Sequence, residues 1–379
     1  MIFIIKAIKN YINSIDKILL AAVFVCTLFG LLLINSATAT ITGNRYIIVQ
    51  SFAFVMGIIL IILLSKFDFE YYENIATIIY IVSVLALIIT YFVADPVKGN
   101  RNWIDLGFLK LQTSEITKVT FIITSAVLYN HLKEKINSFK GILIVLLHFA
   151  GYAVPIILQG DIGSLLVYCV ILVITLFISN LHILYFIGTF VLLVASTPFI
   201  WLYVLKDYMK TRILITFNPY LDPLGAGYQQ IQSQTALGSG GLFGSGYMKG
   251  IQSQYSLLPE KHTDFIFSVA GEEFGFIGCM IIILLLLLVM ARLIIIGYKS
   301  SSLAGKVICM GTFAMIFAQT VENIGMCCGI LPIIGITLPF FSYGGSSMIS
   351  LFLAIGVCMS VKVHTSKGIS FAPTLYLDL

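Results

Sequence analysis

Charged residues are scarce in this chain of 379 residues: Asp, Glu, Lys and Arg make up 10% of it, against 59% hydrophobic residues. So small a charged fraction excludes an ordinary soluble domain. A mean hydropathy of +1.03 indicates that most of the chain faces lipid or packs inside a membrane bundle. The net charge is +5 and the basic residues do not cluster, so nucleic-acid binding is not expected.

Cysteine patterns typical of disulfide frameworks or zinc sites are absent too. All seven cysteines fall inside apolar runs, where we expect them to serve as small packing residues. The first apolar run has no small-residue cleavage site and is followed at once by others, so we interpret it as a membrane span and not as a signal peptide. The runs do not alternate in the way that β-barrel strands do.

Apolar runs of about 20 residues, the length that crosses a bilayer as a helix, recur along the chain. They predict an all-α polytopic membrane protein that forms a single membrane domain over residues 1–379. An even number of spans puts both termini on one side, and the Lys and Arg residues of the short loops make that side cytoplasmic. The ten predicted spans are 17–36, 46–65, 74–94, 113–132, 140–158, 162–179, 182–205, 265–297, 305–330 and 344–362.

Two extracytoplasmic loops stand out, at about 95–112 and 206–264. The second, between spans 7 and 8, is far longer than a usual helix connection and is therefore expected to be functional. Its regularly spaced apolar residues predict short amphipathic helices on the membrane surface. Its glycine-rich run at 238–246 does not end in the Gly-Lys-Ser/Thr of a nucleotide-binding loop.

Asp264 is the first candidate for chemistry, because it lies where this polar loop meets the eighth apolar run. An ionisable group at a membrane boundary is a functional hypothesis by default, and partial desolvation makes a carboxylate a better base. The alternative is a carboxylate that only complements the dipole of the helix that follows. Arg212 in the long loop, and Lys261 and His262 just before Asp264, are further substrate-binding candidates.

Glu115 and Lys118 lie three residues apart at the start of the fourth span, and hence on one helix face. They predict either a structural ion pair or a cation for an anionic headgroup that Glu115 orients. Thr113 or Ser114 is expected to cap this helix. Asp161, in the turn before the sixth span, either caps that span or holds a cation near substrate phosphates.

The 95–112 loop holds Lys98, Arg101, Trp103 and Lys110. Trp103 is either an aromatic anchor at the interface or part of a binding site. The guanidinium of Arg101, two residues away, suits a phosphate group. Ser346 or Ser347 is expected to cap the last span.

Four segments, in this order, resemble the signatures of the RodA/FtsW/SpoVE proteins, known as the SEDS family. Together they extend the resemblance over about residues 45–361. The departures include Thr113, Gly160, Ser164 and Asn102, together with Glu322, which stands where an uncharged residue is usual. The matching segments are RNWIDLGFLKLQTSEITK (101–118), QGDIGS (159–164), QSQYSLLPEKHTDFIFSVAGEEFGFIG (252–278) and NIGMCCGILPIIGITLPFFSYGGSS (323–347).

The resemblance implies ten spans and a peptidoglycan glycosyltransferase in the bacterial cytoplasmic membrane, acting on lipid II, an undecaprenyl diphosphate-linked disaccharide-pentapeptide. It matches Asp264 to the family's catalytic carboxylate. It also implies a class B penicillin-binding protein as partner, alongside other proteins of an elongation or division complex and membrane lipid. The Trp-Ile-Asp-Leu-Gly and Gln-Ser-Gln motifs favour a RodA-like elongation protein.

These residues lead to one mechanistic hypothesis and two rivals. Asp264 would act as the general base, while Arg101 and Lys118 would meet the charge of the leaving diphosphate. A divalent cation, Mg²⁺ or Mn²⁺, is the one cofactor considered, with its ligands unassigned. The rivals are a lipid II flippase, which needs a hydrophilic path through the bilayer core, and a non-catalytic scaffold, which would leave Asp264 without a role.

Overall fold

The computed structural model describes residues 13–41, 43–96, 100–105, 107, 110–205, 207–225 and 227–366. Expectations for Lys98, Lys206 and the chain termini lie outside these residues. All ten predicted spans are helices in the described chain. They are α1 (Lys17–Thr38), α2 (Arg45–Leu64), α3 (Phe69–Val93), α4 (Thr113–Leu132), α5 (Phe139–Gln159), α6 (Ile162–Ile178), α7 (Ile183–Phe199), α11 (Ile266–Lys299), α12 (Leu303–Cys327) and α13 (Gly345–Ser366).

Eight of these helices are long and apolar enough to cross a membrane by length and composition. The other two are α6, with 17 residues, and α4, which is rich in Ser and Thr and buried along most of its length. A polar helix can stand in a membrane bundle when neighbouring helices surround it in place of lipid. Helix α4 packs in this way against α3, α12 and α13.

Helices α12 and α13 form the centre of the bundle. The most apolar stretch of α13 is 83% buried and that of α12 is 67% buried, whereas the stretch from Ile183 to Tyr203, which contains α7, is 0% buried. Helix α13 packs along α2, and α12 contacts α4, α6 and α11. Because successive helices run in opposite directions, α4, α6 and α11 begin, and α12 ends, at the same end of the bundle as the two long loops.

The two loops are ordered in ways that the apolar pattern predicted only in part. Short helices are present in the 206–264 loop as expected, and their position on the membrane surface stays a prediction. The 95–112 loop instead forms an antiparallel hairpin, in which Trp103 pairs with Gln112. The elements are β1 (Trp103–Asp105), β2 (Lys110–Gln112), α8 (Asp207–Phe217), α9 (Tyr228–Ser239) and α10 (Ile251–Gln254).

Helix α11 contains a break that periodicity did not reveal. Gly275 has φ 66° and ψ −162°, a conformation open essentially to glycine alone. The carbonyls of Glu272 and Glu273, in the turn before the break, accept hydrogen bonds from the N–H groups of Ser245 and Gly246 at 2.9 and 3.0 Å. Backbone groups that leave a helix at membrane depth need such partners.

The glycine-rich run 238–246 therefore supplies backbone partners at the break in α11. It lies against the break in α11, and the N–H of Phe276 donates to the carbonyl of Gly241 at 2.9 Å. A Cβ on Gly244 would lie 2.2 Å from the Glu273 carbonyl oxygen. The close approach of the two backbones explains why position 244 is a glycine.

The capping predictions were wrong at two helices. Gln112 is the N-cap of α4 and forms no side-chain cap bond, whereas Ser114 donates to the Asp161 carboxylate at 2.8 Å. Ser346 does not cap α13 but donates to the Lys110 carbonyl at 2.9 Å, tying the hairpin to the last helix. In both cases a tertiary partner engages the hydroxyl that local sequence would have assigned to a cap.

Candidate functional site

Asp264 lies two residues before α11, in a turn whose backbone is held on both sides. Its N–H donates to the carbonyl of Glu260 at 3.1 Å. Its own carbonyl accepts from Asn323 Nδ2 at 2.7 Å and from Cys327 Sγ at 3.6 Å. The residue is half-buried, so the turn fixes its position while part of its surface stays accessible at the loop end of the bundle.

Residues 331–343, here called the outer turn, pack directly on the turn that carries Asp264. Ser342 Oγ donates to the carbonyl of Thr263 at 2.6 Å, and the N–H of Tyr343 donates to the carbonyl of His262 at 2.8 Å. Gly335, with φ 72°, approaches so closely that a Cβ there would lie 3.4 Å from Asp264 Oδ2. The outer turn therefore forms one wall of the site.

The same outer turn contacts two other candidate regions. Arg212 donates to the carbonyl of Ile333 at 3.3 Å. At the first turn of α6, a Cβ on Gly163 would lie 3.2 Å from the Ile334 carbonyl oxygen. The outer turn thus contacts Arg212, the start of α6 and the Asp264 turn. Asp161 caps that end of α6.

Asp161 caps α6, as one of the two interpretations predicted, and it also organises the loop before α4. Its Oδ1 accepts from the N–H of Ser164 at 3.2 Å. Its Oδ2 accepts from Asn102, Gln112 and Ser114 at 3.1, 2.9 and 2.8 Å. These bonds use most of the acceptor capacity of a buried carboxylate, so Asp161 faces protein donors.

Glu115 and Lys118 form the ion pair that their spacing predicts, with Nζ 2.7 Å from Oε1. Lys118 is fully buried and Glu115 nearly so. Glu322, a buried carboxylate on α12, interacts electrostatically with both Lys118 and Asp161. Among the described residues, Glu115 is the carboxylate in direct contact with the Lys118 ammonium.

His262 lies in an aromatic cluster beside Asp264. Its ring centroid is 4.7 Å from that of Tyr46 and 5.7 Å from that of Tyr343. Burial lowers the pKa of His262 below its ordinary value, and the Glu260 carboxylate opposes that shift. The imidazole is thus neutral at neutral pH and can act as both hydrogen-bond donor and acceptor.

Lys261 turns away from this cluster into the protein. Its Nζ donates to the carbonyl of Ser253 and to Thr40 Oγ1 at 3.1 Å. Burial lowers the pKa of Lys261, and the Glu272 and Glu273 carboxylates oppose that shift. The ammonium is engaged by protein oxygens that tie α10 to the end of α1.

Glu272 and Glu273 are two buried carboxylates to which the sequence interpretation gave no role. They join α11 to α10 and to α1. Glu272 accepts from the N–H groups of Gln252 and Ser253 at 2.6 and 3.0 Å and so caps α10. Glu273 accepts from Ser36 Oγ at 2.5 Å, which joins α11 to α1. Their adjacency in an otherwise apolar helix was the available signal, because paired carboxylates are not buried in a membrane without partners.

Arg101 and Trp103 lie at the edge of the site. The Arg101 guanidinium is exposed and lies 5.9 Å from the ring centroid of Tyr91. The backbone N–H of Arg101 donates to the Gln159 carbonyl at 3.0 Å. Trp103 is half-buried in β1. Within the described ranges, neither side chain makes a hydrogen bond or ring contact with the Asp264 turn.

The residues present do not form a ready-made metal centre. Among the described residues, no group of three or more His, Cys, Asp or Glu side chains could hold a metal ion. The Glu115 carboxylate is already paired with the Lys118 ammonium, and four donors already engage Asp161. The divalent cation stays a prediction, without a ligand set among these residues.

Comparison with known proteins supports a common architecture and ancestry. The chain is 35% identical over 316 residues to the peptidoglycan glycosyltransferase MrdB of Escherichia coli K12, covering 82% of this chain and 83% of that one. It is 30% identical to the peptidoglycan glycosyltransferase RodA of Treponema pallidum, covering 93% and 98% of the two chains.

A solved structure described as a peptidoglycan synthase complex that coordinates polymerization and crosslinking superimposes with a TM-score of 0.81. The sequence identity is 27%, over 93% of this chain and 98% of that chain. The family model of the FtsW, RodA and SpoVE proteins, described as cell cycle protein, matches residues 16–367. The match extends over nearly all the described helices, including those that carry the four motifs. The chain therefore belongs to the FtsW/RodA/SpoVE family, the SEDS proteins.

Proposed function

We propose that this protein polymerises lipid II into glycan strands at the outer face of the bacterial cytoplasmic membrane. The observation that carries the proposal is Asp264, a half-buried carboxylate whose turn is fixed by Asn323 and by the outer turn at the loop end of the bundle. The glycosyltransferase names of relatives that cover most of the chain support the same activity.

The proposed reaction is an inverting glycosyl transfer with Asp264 as the catalytic base. The carboxylate takes the proton from the 4-hydroxyl of the acceptor sugar as that oxygen forms a bond to the anomeric carbon of the donor. The bond from that carbon to the diphosphate breaks, and undecaprenyl diphosphate leaves with the electron pair. A base that lies within hydrogen-bond reach of the hydroxyl typically contributes a factor of about 10²–10⁴ to the rate.

Cationic side chains at the same end of the bundle are proposed to meet the charge of the leaving group. Arg101 presents an exposed guanidinium, a fork that suits phosphate oxygens. Lys118 contributes a buried positive charge, which acts more strongly in low dielectric than it would in water. Arg212 contacts the outer turn, and its proposed role is to bind the sugar-phosphate part of the substrate.

Partner and location follow the same proposal. New glycan strands must be crosslinked by a transpeptidase, which this membrane domain does not supply in the proposal. A class B penicillin-binding protein fits that requirement. The superimposable structure of a peptidoglycan synthase complex that coordinates polymerization and crosslinking supports such a pairing. The proposal keeps the orientation that the loop charges predict, with both termini in the cytoplasm and Asp264 outside the cell.

The distribution of buried charge favours a polymerase over a lipid flippase. Glu115, Lys118, Asp161 and Glu322 lie near the helix ends that surround Asp264, whereas Asp16 and His364 lie at the opposite end. In the middle of α4 the polar side chains are hydroxyls such as Thr124, which contacts Tyr152 at 3.2 Å and the His148 ring at 3.3 Å, and no Asp, Glu, Lys or Arg lies beside them among the described hydrogen bonds. A path for a diphosphate through the bilayer core would need charged or open polar surface there.

The direct test is polymerisation of lipid II by the purified full-length protein, alone and with a class B penicillin-binding protein, with glycan strands resolved on gels. Wild type is expected to make strands, and Asp264→Asn to lose activity by roughly 10²–10⁴-fold because the amide cannot take the proton. Asp207→Asn, whose side chain is fully exposed in the same loop, is the matched control. Strands made by Asp264→Asn at the wild-type rate would refute the base, and no strands from wild type in any combination would refute the activity.

A further inference from the structure

Three aromatic rings meet beside Asp264, each from a different part of the chain. The His262 ring centroid lies 4.7 Å from that of Tyr46 and 5.7 Å from that of Tyr343. The Tyr46 and Tyr343 centroids are 4.9 Å apart. Tyr46 belongs to the first turn of α2, and Tyr343 ends the outer turn. These three residues are here called the ring cluster.

Hydrogen bonds to the backbone hold the segments that carry the ring cluster. Gln50 on α2 donates from Nε2 to the Ser342 carbonyl at 3.1 Å, and its Oε1 accepts from the Gly344 N–H at 3.0 Å. The N–H of Tyr343 donates to the His262 carbonyl at 2.8 Å. The rings therefore have fixed positions before a ligand arrives, which lowers the entropic cost of binding one.

The ring cluster offers apolar faces and free polar atoms at a partly open place. All three of its residues are half-buried, as Asp264 is, so part of each stays accessible. Among the described residues, no hydrogen bond reaches the Tyr46 hydroxyl, the Tyr343 hydroxyl or the His262 ring nitrogens. These groups can donate and accept hydrogen bonds, so a ligand that suits them has an apolar face and a polar rim.

A sugar ring has this combination of surfaces. Its C–H groups form apolar patches that can lie against aromatic rings, while hydroxyl and amide groups surround those patches. Ligand sites combine aromatic walls with a few polar groups in the same way. An undecaprenyl chain has no hydrogen-bonding groups and a diphosphate has no apolar face. The lipid tail and the leaving group are therefore poorer matches for the ring cluster.

We infer that the ring cluster binds the acceptor sugar of lipid II, an inference that rests on the proposed function. In that reaction the attacking 4-hydroxyl must lie at Asp264, so the sugar that bears it lies next to the carboxylate. The outer turn, which ends at Tyr343, is also the segment that approaches Asp264 Oδ2 at Gly335. The ring cluster is thus an aromatic wall beside the place that the acceptor sugar has to occupy.

The test measures binding of three lipids to the purified full-length protein. They are lipid II, the same lipid-linked disaccharide without its pentapeptide, and undecaprenyl diphosphate, which has no sugar. All variants are made in the Asp264→Asn protein, so that lipid II is not consumed. Tyr46→Leu and Tyr343→Leu each remove one ring, and Tyr46→Phe keeps the ring. Tyr255→Leu, at a tyrosine of the same long loop that is 76% exposed, is the control.

Tyr46→Leu and Tyr343→Leu are each expected to weaken binding of lipid II and of the peptide-free disaccharide about tenfold, the scale of one lost aromatic contact. Binding of undecaprenyl diphosphate should stay as in the parent, which also shows that the variants are folded. Tyr46→Phe should lose less affinity than Tyr46→Leu, and Tyr255→Leu should lose none. With Asp264 intact, Tyr46→Leu should raise the KM for lipid II more than it lowers kcat.

Three outcomes would overturn the inference. Unchanged binding of lipid II in both leucine variants would show that the ring cluster does not bind sugar. Equal loss of all three lipids in both variants, or loss of the folded protein, would assign the rings to packing. Weaker binding of lipid II with unchanged binding of the peptide-free disaccharide would assign the ring cluster to the peptide.

This experiment separates the two levels of inference. If wild type makes no glycan strands in the polymerisation assay, the proposed function fails. If wild type makes strands while both leucine variants bind lipid II as their parent does, only the role of the ring cluster fails.

Discussion

Asn323 Nδ2 donates to the backbone carbonyl of Asp264 and to that of Ile336, each at 2.7 Å. A single amide on α12 thereby joins the turn that carries the proposed base to the outer turn. Asn323 is fully buried, so water does not compete for either bond. The position of Asp264 depends on a residue 59 positions away in sequence.

Replacing Asn323 with Ala should therefore disturb the site while leaving every charged group intact. The buried Ile336 carbonyl would lose this donor, at about 1–3 kcal/mol for an unsatisfied group, and the Asp264 carbonyl would keep only the weak contact from Cys327 Sγ at 3.6 Å. Both the melting temperature and the rate of strand synthesis should therefore fall. Gln319→Ala is the control, since this buried residue lies one turn earlier on α12 and its Oε1 accepts no hydrogen bond from the described residues. Equal activity of the two variants would show that Asn323 does not position Asp264.

Single and double substitutions of Glu115 and Lys118 can distinguish a role of this ion pair in stability from a role in strand synthesis. Lys118→Met and Glu115→Leu alone should each destabilise the protein by about 3–5 kcal/mol, because each leaves a buried charge unpaired. The double variant should recover most of the stability, since apolar pairs often replace buried ion pairs. We expect strand synthesis to stay lost in the double variant because the Lys118 charge is missing.

The measurements for this cycle are thermal unfolding in detergent and lipid II polymerisation on the same preparations. If the double variant recovers full polymerisation along with its stability, the pair is purely structural, and Lys118 does not meet the diphosphate.

Gly244→Ala should destabilise the protein strongly. Gly244 has φ 79°, and its Cβ would lie 2.2 Å from the Glu273 carbonyl oxygen, so the glycine run could not seat on the break in α11. The matched control is Gly188→Ala in α7, where nothing lies within 4 Å of the new Cβ; there helix propensity favours Ala by roughly 0.5–1 kcal/mol. A Gly244→Ala variant that melts like Gly188→Ala would contradict this packing.

Topology can be tested by labelling single cysteines in intact cells with a membrane-impermeant thiol reagent. Cysteine at Ser239 should react from outside, and cysteine at Ser301 only after the membrane is opened. Both serines are exposed in the structure. Ser138 and Ser245 are poorer choices, since Ser138 caps α5 and Ser245 donates to the Glu272 carbonyl.

Native cysteines that react with the thiol reagent would add background labelling to that experiment. Five of the seven are buried, while Cys169 and Cys328 are only half-buried. Cys328 lies just beyond the end of α12 and not inside a span as the sequence suggested. The labelling variants should therefore be made in a protein that carries Cys328→Ser, which removes this source of background labelling. Labelling of Ser301→Cys from outside, with Ser239→Cys protected, would invert the orientation and place Asp264 in the cytoplasm.

Local features could be predicted from the sequence where the relevant physics is local. The ten helices follow from apolar runs of membrane-spanning length, and the Glu115–Lys118 pair follows from helix geometry, which places residues three apart on one face. Asp264 marks the start of α11 because the hydrophobicity of the chain changes there. The capping role of Asp161 likewise depends on neighbours within three residues.

Long-range contacts decided the rest. Apolar periodicity is nearly uninformative in a helix that is hydrophobic on every side, so it did not say which helices α12 would contact or that Glu322 would be buried. The turn of Lys261 toward Thr40 and the docking of residues 238–246 on the broken helix α11 both join segments far apart in the chain.

The sequence by itself determined the membrane class, the spans and the identity of the proposed base. Only the tertiary structure decided which groups hold that base and which groups engage the buried Glu272 and Glu273 carboxylates. The physical reason is that a buried polar atom in a membrane bundle must find its partner inside the protein. For Asp264, Glu272 and Asn323, that partner comes from a distant part of the chain.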